Sequence, residues 1–265
     1  MNKIHPMAYV DPAAQLGDNV EIGPFAYVDA GTLIGDGCHI MNGATILNHV
    51  KMGSHCTVFP GAVVGAIPQD LKFEGEESWV EIGDRVNIRE CATINRGTKA
   101  SGKGVTRIGS DTLIMSYAHI AHDCQIGNHC IIVSYAGLAG ETDLGDWAVM
   151  GGKAGSHQFT KVGAHAFVGG YSKLTKDVPP YVLAGREPVV FEGVNRVGLL
   201  RRGFTEEQVN EIKDIYDAIY FQGMNVSQAM EHIEAHFPAT EWRDTILTFI
   251  RNSQRGIIHK PRPTR

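Results

Sequence analysis

The chain has 265 residues, of which 43% are hydrophobic and 20% charged, and its net charge is −5. This length allows one elongated domain plus a small one, and the mild acidity without a basic stripe argues against a nucleic-acid partner. No run reaches the roughly 18 apolar residues of a membrane span, and the start, MNKIHPMAYVDP, lacks the apolar core of a signal peptide, so a cytoplasmic protein without a transmembrane segment is expected.

From Ile4 an aliphatic residue returns at every sixth position, through Val10, Leu16, Ile22, Val28, Ile34, Ile40, Ile46, Met52, Val58 and Val64. The pattern resumes at Ile82, Ile88 and Ile94, and again from Ile108 to Leu174 with one lapse at Ser156. Four residues after each aliphatic sits a small side chain, as at Ala8, Ala26, Cys38, Ala44 and Cys56. A six-residue period predicts a parallel β-helix. Aliphatic and small positions point inward, and Gly, Asn and Asp are expected at the corners, where positive φ costs them little. Three hexads make one triangular coil, and about nine coils at strand spacing give a rod on the order of 40 Å long. Parallel crossovers are right-handed in about 98% of sheets, so spacing alone gives no reason for a left-handed coil.

The frame breaks twice. Residues 65–79, GAIPQDLKFEGEESW, lose the pattern, yet Val64 to Ile82 is one whole coil length, so this loop is expected to stand in for one turn without shifting the register. TKASGKGVTR (98–107) moves the frame by two and reads as an inserted polar loop. The repeat is expected to close at Val178-Pro179-Pro180, because proline cannot donate to a further ladder. A linker follows, and then the period changes to 3.6. Thr205 to Gln208 forms a capping box ahead of Val209, Ile212, Ile215, Tyr216 and Ile219. A second helix is expected over 227–236, and a third over 240–254 with Gly256 as C-cap. The tail HKPRPTR is expected to fray. The expected organisation is a β-helix of residues 1–187 and a helical domain of 188–265. Exposed ladder edges and flat faces favour closed association of identical rods.

Stacking by 18 residues puts Gly140 beside His122 of the AHIAHDC segment (118–124), and Gln158 one coil further. A histidine next to a bare backbone N–H suits acyl transfer, one as base and the other as oxyanion donor. On the pattern alone, His122 reads more readily as one of several ordinary turn histidines among the twelve in the chain. Cys38, Cys56, Cys124 and Cys130 fall on the small inward position and read as buried hydrophobes rather than disulfide or metal cysteines. His119 and His122 lack a matching third ligand, so no metal is expected.

The hexad pattern resembles the hexapeptide-repeat acyltransferase superfamily, which implies an all-β left-handed parallel β-helix followed by a small C-terminal α-helical domain. PQDLKFEGE (68–76), VEIGDRVNIRE (80–90), AHIAHDC, HQF (157–159), DVPPYV (177–182) and GVNRVGLLRRGF (193–204) occur in one order across essentially the whole chain. Together they resemble the UDP-N-acetylglucosamine O-acyltransferases of lipid A biosynthesis. That resemblance implies transfer of a 3-hydroxyacyl chain from acyl carrier protein to the 3-hydroxyl of UDP-N-acetylglucosamine by a homotrimer without a cofactor of its own, the acyl donor riding on the carrier's phosphopantetheine. It makes His122 the general base, Asp123 its orienting partner and Gly140 the oxyanion donor. Asp70, Lys72 and His119 would contact the sugar, and His157 and Gln158 the nucleotide. Asn195, Arg201 and Arg202 would reach the base and phosphates, Arg being suited to bidentate phosphate contacts. Gly170, on an outward turn at a different edge from His122, would mark the end of an acyl groove expected to need two neighbouring subunits. Two positions depart from the family: Glu141 stands where a histidine is usual near the sugar, and Val197 where a carboxylate is usual near the nucleotide.

Two other readings compete. The N-acyltransferase of the same pathway shares the coil and a histidine but usually carries an N-terminal uridine-binding domain, whereas this chain enters the repeat at Ile4. A non-catalytic or metal-site β-helix would have no need to project a loop bearing Asp70 and Lys72.

Overall fold

The structure is a computed structural model and describes residues 1–261. Among the described residues, three sheets of 11, 9 and 8 strands, parallel except for the last strand of the largest, form the faces of a left-handed triangular prism. Most strands are only two residues long, because the hexad leaves room for one inward residue and its predecessor between corners. The inward aliphatics stack in three columns. Ile22, Ile40, Val58, Ile88, Ile114 and Ile132 run down the first face. Val28, Ile46, Val64, Ile94, Ile120 and Leu138 run down the second. Ile34, Met52, Ile82, Ile108, Ile126 and Leu144 run down the third. From Val20 onward nearly all of these are buried, whereas Ile4 in the first coil is 45% exposed, since no coil stacks above it. Cys38, Cys56, Cys124 and Cys130 are buried free thiols.

Corner chemistry follows expectation in part: Gly31, Gly37, Gly43, Gly61, Asn19, Asp111 and Asp123 hold positive-φ corners. Among the described residues, however, nineteen non-glycine residues have positive φ, and they include Phe25, Tyr117, Tyr135, Trp147 and His165. The corner falls three residues after each inward aliphatic, and its N–H commonly donates to a carbonyl of the coil above, as Tyr135 does to Ser116 and His129 to Ser110. That ladder bond, together with stacking of corner rings, offsets the roughly 1–2 kcal/mol that the left-handed region costs an ordinary residue. Tyr117 stacks on Tyr135 at 5.0 Å, and His129 on Trp147 at 4.1 Å. Corners therefore need no Gly, Asn or Asp.

The two frame breaks also resolve differently. Val64 pairs with Ile46 and Ile94 on the second face, while Ile82 pairs with Met52 on the third. The 65–79 loop thus replaces no turn. It is an insertion of twelve residues at the single corner between the second and third faces, and its length, a multiple of six, hides this in the sequence. The second loop is inserted at the same corner one coil further on, between Ile94 and Ile108. Both therefore project over one edge of the prism, here called the second corner.

Pro179 and Pro180 do not end the stack. Val182–Gly185 adds a further parallel strand beside Phe167–Val168, and Val190–Val194 turns back antiparallel to it. Strand structure therefore runs past the expected boundary at 187, because a hairpin offers its own ladder partners. Four helices follow: α1 (Arg196–Arg201), α2 (Glu206–Phe221), α3 (Val226–His236) and α4 (Glu241–Arg251). The predicted capping box at Thr205 and Gln208 is present, and α3 begins with a second one at Asn225 and Gln228. α1 lies inside the expected linker. α4 stops at Arg251, short of 254, and Gly256 does not cap it; instead Gly256 offers its carbonyl to the Asp177 N–H. Of the tail expected to fray, His259 bridges Val190, and 262–265 lie outside the described residues. The helical domain closes the lower end of the prism: Tyr216, fully buried, donates its hydroxyl to the Pro180 carbonyl at 2.6 Å, and Tyr220 stacks on Phe191 at 4.4 Å.

Ile132→Ala, far from any inserted loop, is expected to destabilise the rod by about 2–5 kcal/mol, the usual cost of a core cavity of this size. Chemical denaturation of the variant beside the parent checks this.

Candidate active site

His122 sits two residues after inward Ile120, at the second corner. The simple repeat would leave it in solvent, but the two inserted loops roof it and it is only 7% exposed. Its Nδ1 lies 2.9 Å from Asp123 Oδ2. Asp123 is fully buried in the positive-φ corner position. The inserted loop holds its carboxylate: Thr98 donates its N–H at 2.9 and 3.1 Å and its hydroxyl at 2.7 Å. The Asp123 N–H meets Thr106 Oγ1 at 2.8 Å, where an uninterrupted coil would offer a backbone carbonyl. With Nδ1–H donating to Asp123, the lone pair of His122 lies on Nε2. The hydrogen bond to Asp123 raises the His122 pKa above the ordinary histidine value; burial opposes it, and the charges of Asp123, Asp70 and Glu141 add to it. Burial would raise the Asp123 carboxyl, but the bonds from His122 and Thr98 outweigh it and hold the pKa below the usual carboxylate value.

Gly140 stacks directly beside His122. A β-carbon there would fall on the imidazole itself, so only glycine allows the approach. Its N–H has no protein partner among the described residues. Its strand is pinned from within: Ser156 Oγ accepts from the Ala139 N–H at 3.0 Å, and Thr142 Oγ1 contacts both Ser156 Oγ and the Ala139 carbonyl at 2.7 Å. The lapse in the hexad at Ser156 is thus a polar brace under Gly140. Glu141 shares the site, half-buried, and burial raises its carboxyl pKa.

The long loop brings Asp70 Oδ2 to 3.7 Å from His122 Nε2. Lys72 is exposed on the same loop, its N–H bonded to Asp70 Oδ1 at 3.0 Å. His119 lies on the second face with Nδ1 2.8 Å from Thr93 Oγ1, and burial lowers its pKa. His157 and Gln158 are exposed one coil below Gly140. Asp70, Lys72, His119, His122, Asp123, Gly140, His157 and Gln158 therefore belong to one neighbourhood.

Asn195, Arg201 and Arg202 do not join it. They lie by the third corner, between the third and first faces. Asn195 caps α1 through Gly198 and donates to the His165 carbonyl at 2.9 Å. Arg202 packs over the Trp147 ring at 5.2 Å and lies 3.4 Å from His165 Nδ1. Arg201 ends α1 and is exposed, as is Val197. Gly170 lies at the first corner, exposed. The second face connects that corner with His122, so the two edges bound one face. Its floor is low: a β-carbon at Gly137 or Gly155 would meet nothing within 4 Å. Sequence reasoning missed Thr98, Thr106, Thr142 and Ser156, whose only signals were the displaced frame and the one lapse. Among the described residues no three His, Cys, Asp or Glu converge as a metal set.

Comparison with known proteins gives one consistent neighbourhood. Residues 177–258 match the family described as "Udp N-acetylglucosamine O-acyltransferase; Domain 2", and 31–66 and 106–140 match the bacterial transferase hexapeptide repeats. An acyl-[acyl-carrier-protein]–UDP-N-acetylglucosamine O-acyltransferase of Chlorobium phaeobacteroides is 63% identical over 97% of each chain. One from a Sulfurihydrogenibium species is 56% identical over 97% of this chain and 94% of its own. The crystal structure of a UDP-N-acetylglucosamine acyltransferase from Bacteroides fragilis superposes with a TM-score of 0.95 at 48% identity, covering 97% of this chain and all of that one.

Asp123→Asn is expected to bring the His122 pKa down, because the bond that raises it most loses its negative charge. Imidazole chemical shifts followed against pH check this, and an unmoved titration in a folded variant would overturn the pairing.

Proposed function

The chain belongs to the UDP-N-acetylglucosamine O-acyltransferase family, and on that premise we propose that it transfers a 3-hydroxyacyl chain from acyl carrier protein to the 3-hydroxyl of UDP-N-acetylglucosamine, the first step of lipid A biosynthesis. The observation that carries this reading is the abutment of His122 on Gly140 under a loop bearing Asp70. Nε2 of His122 takes the proton of the sugar hydroxyl as its oxygen attacks the thioester carbonyl. The oxyanion accepts the free N–H of Gly140. Collapse breaks the carbon–sulfur bond, and the imidazolium returns its proton to the departing thiolate of the carrier's phosphopantetheine. Asp123 keeps the imidazole in the required tautomer and stabilises its charged form. Asp70, Lys72 and His119 bind the sugar. No metal or cofactor takes part.

The working unit is a homotrimer. Phe25, Tyr117, Tyr135 and Tyr171 stand exposed along the first corner, at 66, 53, 56 and 70%, which suits burial near a common axis. The first face points Leu113, Ile131, Val149 and Phe167 outward, whereas Lys51, Glu81, Arg107, Asp143 and Lys161 point from the third. Packing one subunit's first face on its neighbour's second face brings the neighbour's third corner beside this chain's second corner. Asn195, Arg201 and Arg202 then approach His157 and Gln158 from the neighbour and complete the nucleotide site. The protein works in the cytoplasm; among the described residues no helix is long and apolar enough to cross a membrane.

Incubation with UDP-N-acetylglucosamine and a panel of acyl carrier protein thioesters is expected to yield one ester product by mass, undiminished by a chelator. His122→Ala is expected to lower turnover at least roughly 10²-fold with assembly unchanged; near-normal turnover in an assembled variant would remove His122 from the mechanism. The acyl chain runs from Gly140 diagonally over Gly137 and Gly155 to Gly170, in a groove between this second face and the neighbour's first face, and a long chain of about fourteen carbons or more is expected to bury there at about 0.8 kcal/mol per methylene. Gly170→Met is expected to shift preference to shorter donors. An unaltered chain-length profile would mean that the groove ends elsewhere.

A further inference from the structure

Arg96 follows the second-face strand Thr93–Asn95 and is 93% buried, at 7% exposure. No carboxylate of the described residues lies within 4 Å of its guanidinium. A buried cation with no carboxylate in contact is costly, even with the Glu76 charge favouring its charged form from further away, and guanidinium does not escape by losing its proton. Its contacts show what that cost secures. Nη1 donates to Asn48 Oδ1 at 2.8 Å and meets His49 Nδ1 at 3.0 Å, both two coils above. The ring of Phe73, three residues after Asp70 on the long loop, lies over the guanidinium at 5.4 Å. The same stretch holds the start of the loop: the Arg96 N–H donates to the Ala66 carbonyl, and Asn95 Nδ2 donates to the Ile67 carbonyl at 3.0 Å. Beyond these points the Glu76 carboxylate accepts from the Lys99 N–H at 2.9 Å near the far end of the loop, but Leu71 is fully exposed and Lys72 exposed, so the stretch around Asp70 has few other anchors.

We propose that Arg96 is a positioning residue for the acyl-transfer site: it anchors Phe73 and so holds Asp70 over His122 at the depth a sugar hydroxyl needs. The proposal rests on the function given above. Arg96 touches neither His122 nor the reacting atoms. It acts through the loop, and its removal lets Asp70 withdraw while Asp123, Thr98 and Gly140 stay in place. The charged groups facing His122 are Asp123 on its own turn, Asp70 from the long loop and Glu141 from the next coil. Lys103 of the second loop reaches the Asp123 carbonyl and Asp143. Of these, only Asp70 depends on Arg96.

The test is Arg96→Met and Arg96→Lys beside Asp70→Asn and the double variant. In Arg96→Met, KM for the UDP sugar is expected to rise about tenfold with a smaller change in kcat, the signature of lost substrate binding. The acid limb of the pH–rate profile is expected to move to lower pH, because withdrawal of a nearby negative charge lowers the His122 pKa. Asp70→Asn alone is expected to give the same shift, and the double variant no more than either. Arg96→Lys, which keeps the charge but not the flat face under Phe73, is expected to fall between. Cleavage at Lys72 by a lysine-specific protease is expected to accelerate in Arg96→Met while the rest of the rod resists. Unchanged cleavage at Lys72 in a folded Arg96→Met variant overturns the anchoring. Faster cleavage with an unmoved acid limb overturns the link to Asp70. If the parent protein acylates no UDP sugar, the functional reading falls, and the protease arm still decides whether Arg96 holds the loop.

Discussion

Each coil of the prism is held by the coils above and below it, through hydrogen bonds at strand spacing and through inward columns of aliphatic side chains. A residue therefore has two kinds of neighbour: those beside it in the chain, and those one coil away. The candidate active site uses the second kind. His122 meets Gly140 because the two are stacked, and the contact is as close as the coil spacing allows only because Gly140 has no side chain. Displacing either coil by one residue would separate them.

The same constraint explains where the site lies. A corner is the one place where extra residues enter a coil without disturbing the columns, since the next strand can still find its partner. Both insertions enter the second corner, in successive coils, and between them they cover an edge that the bare repeat would leave in water. The short one supplies Thr98, which fixes the Asp123 carboxylate, and the long one supplies Asp70. A rigid ladder holds His122 and Gly140, the proposed base and oxyanion donor, while a loop holds Asp70, so the parts that must not move are separated from the parts that can.

Electrostatics at this corner mix favourable pairing with costly burial. Asp123, Glu141 and Asp70 surround one imidazole, and Arg96 is buried with no carboxylate in contact. Each feature costs folding free energy, since a desolvated charge is expensive unless well bonded. Asp123 is compensated by Thr98 and His122; Glu141 is only half-buried and takes a raised pKa instead. The regular coils, with their fully buried columns, offset these costs elsewhere.

The six-residue period made the β-helix, its three faces, its inward columns and the adjacency of His122, Gly140 and Gln158 legible from the chain alone, because a ladder with fixed spacing turns an 18-residue separation into contact. The change to a 3.6 period and the Thr205 capping box likewise announced the helical domain. Handedness came from family resemblance, since hexad spacing is the same in either hand. What the linear pattern could not contain was the corner at which each loop enters: the twelve-residue insertion keeps the frame and imitates a whole coil, and only the pairing of Ile82 with Met52 rather than Val64 reveals it. Nor could it reveal that His122 is roofed, that Ser156 braces Gly140, or that Asn195 and Arg202 stand at another corner. Those facts depend on which side chains the inserted loops and the C-terminal hairpin bring together, and contacts between segments without a period are decided only when the tertiary structure closes over them.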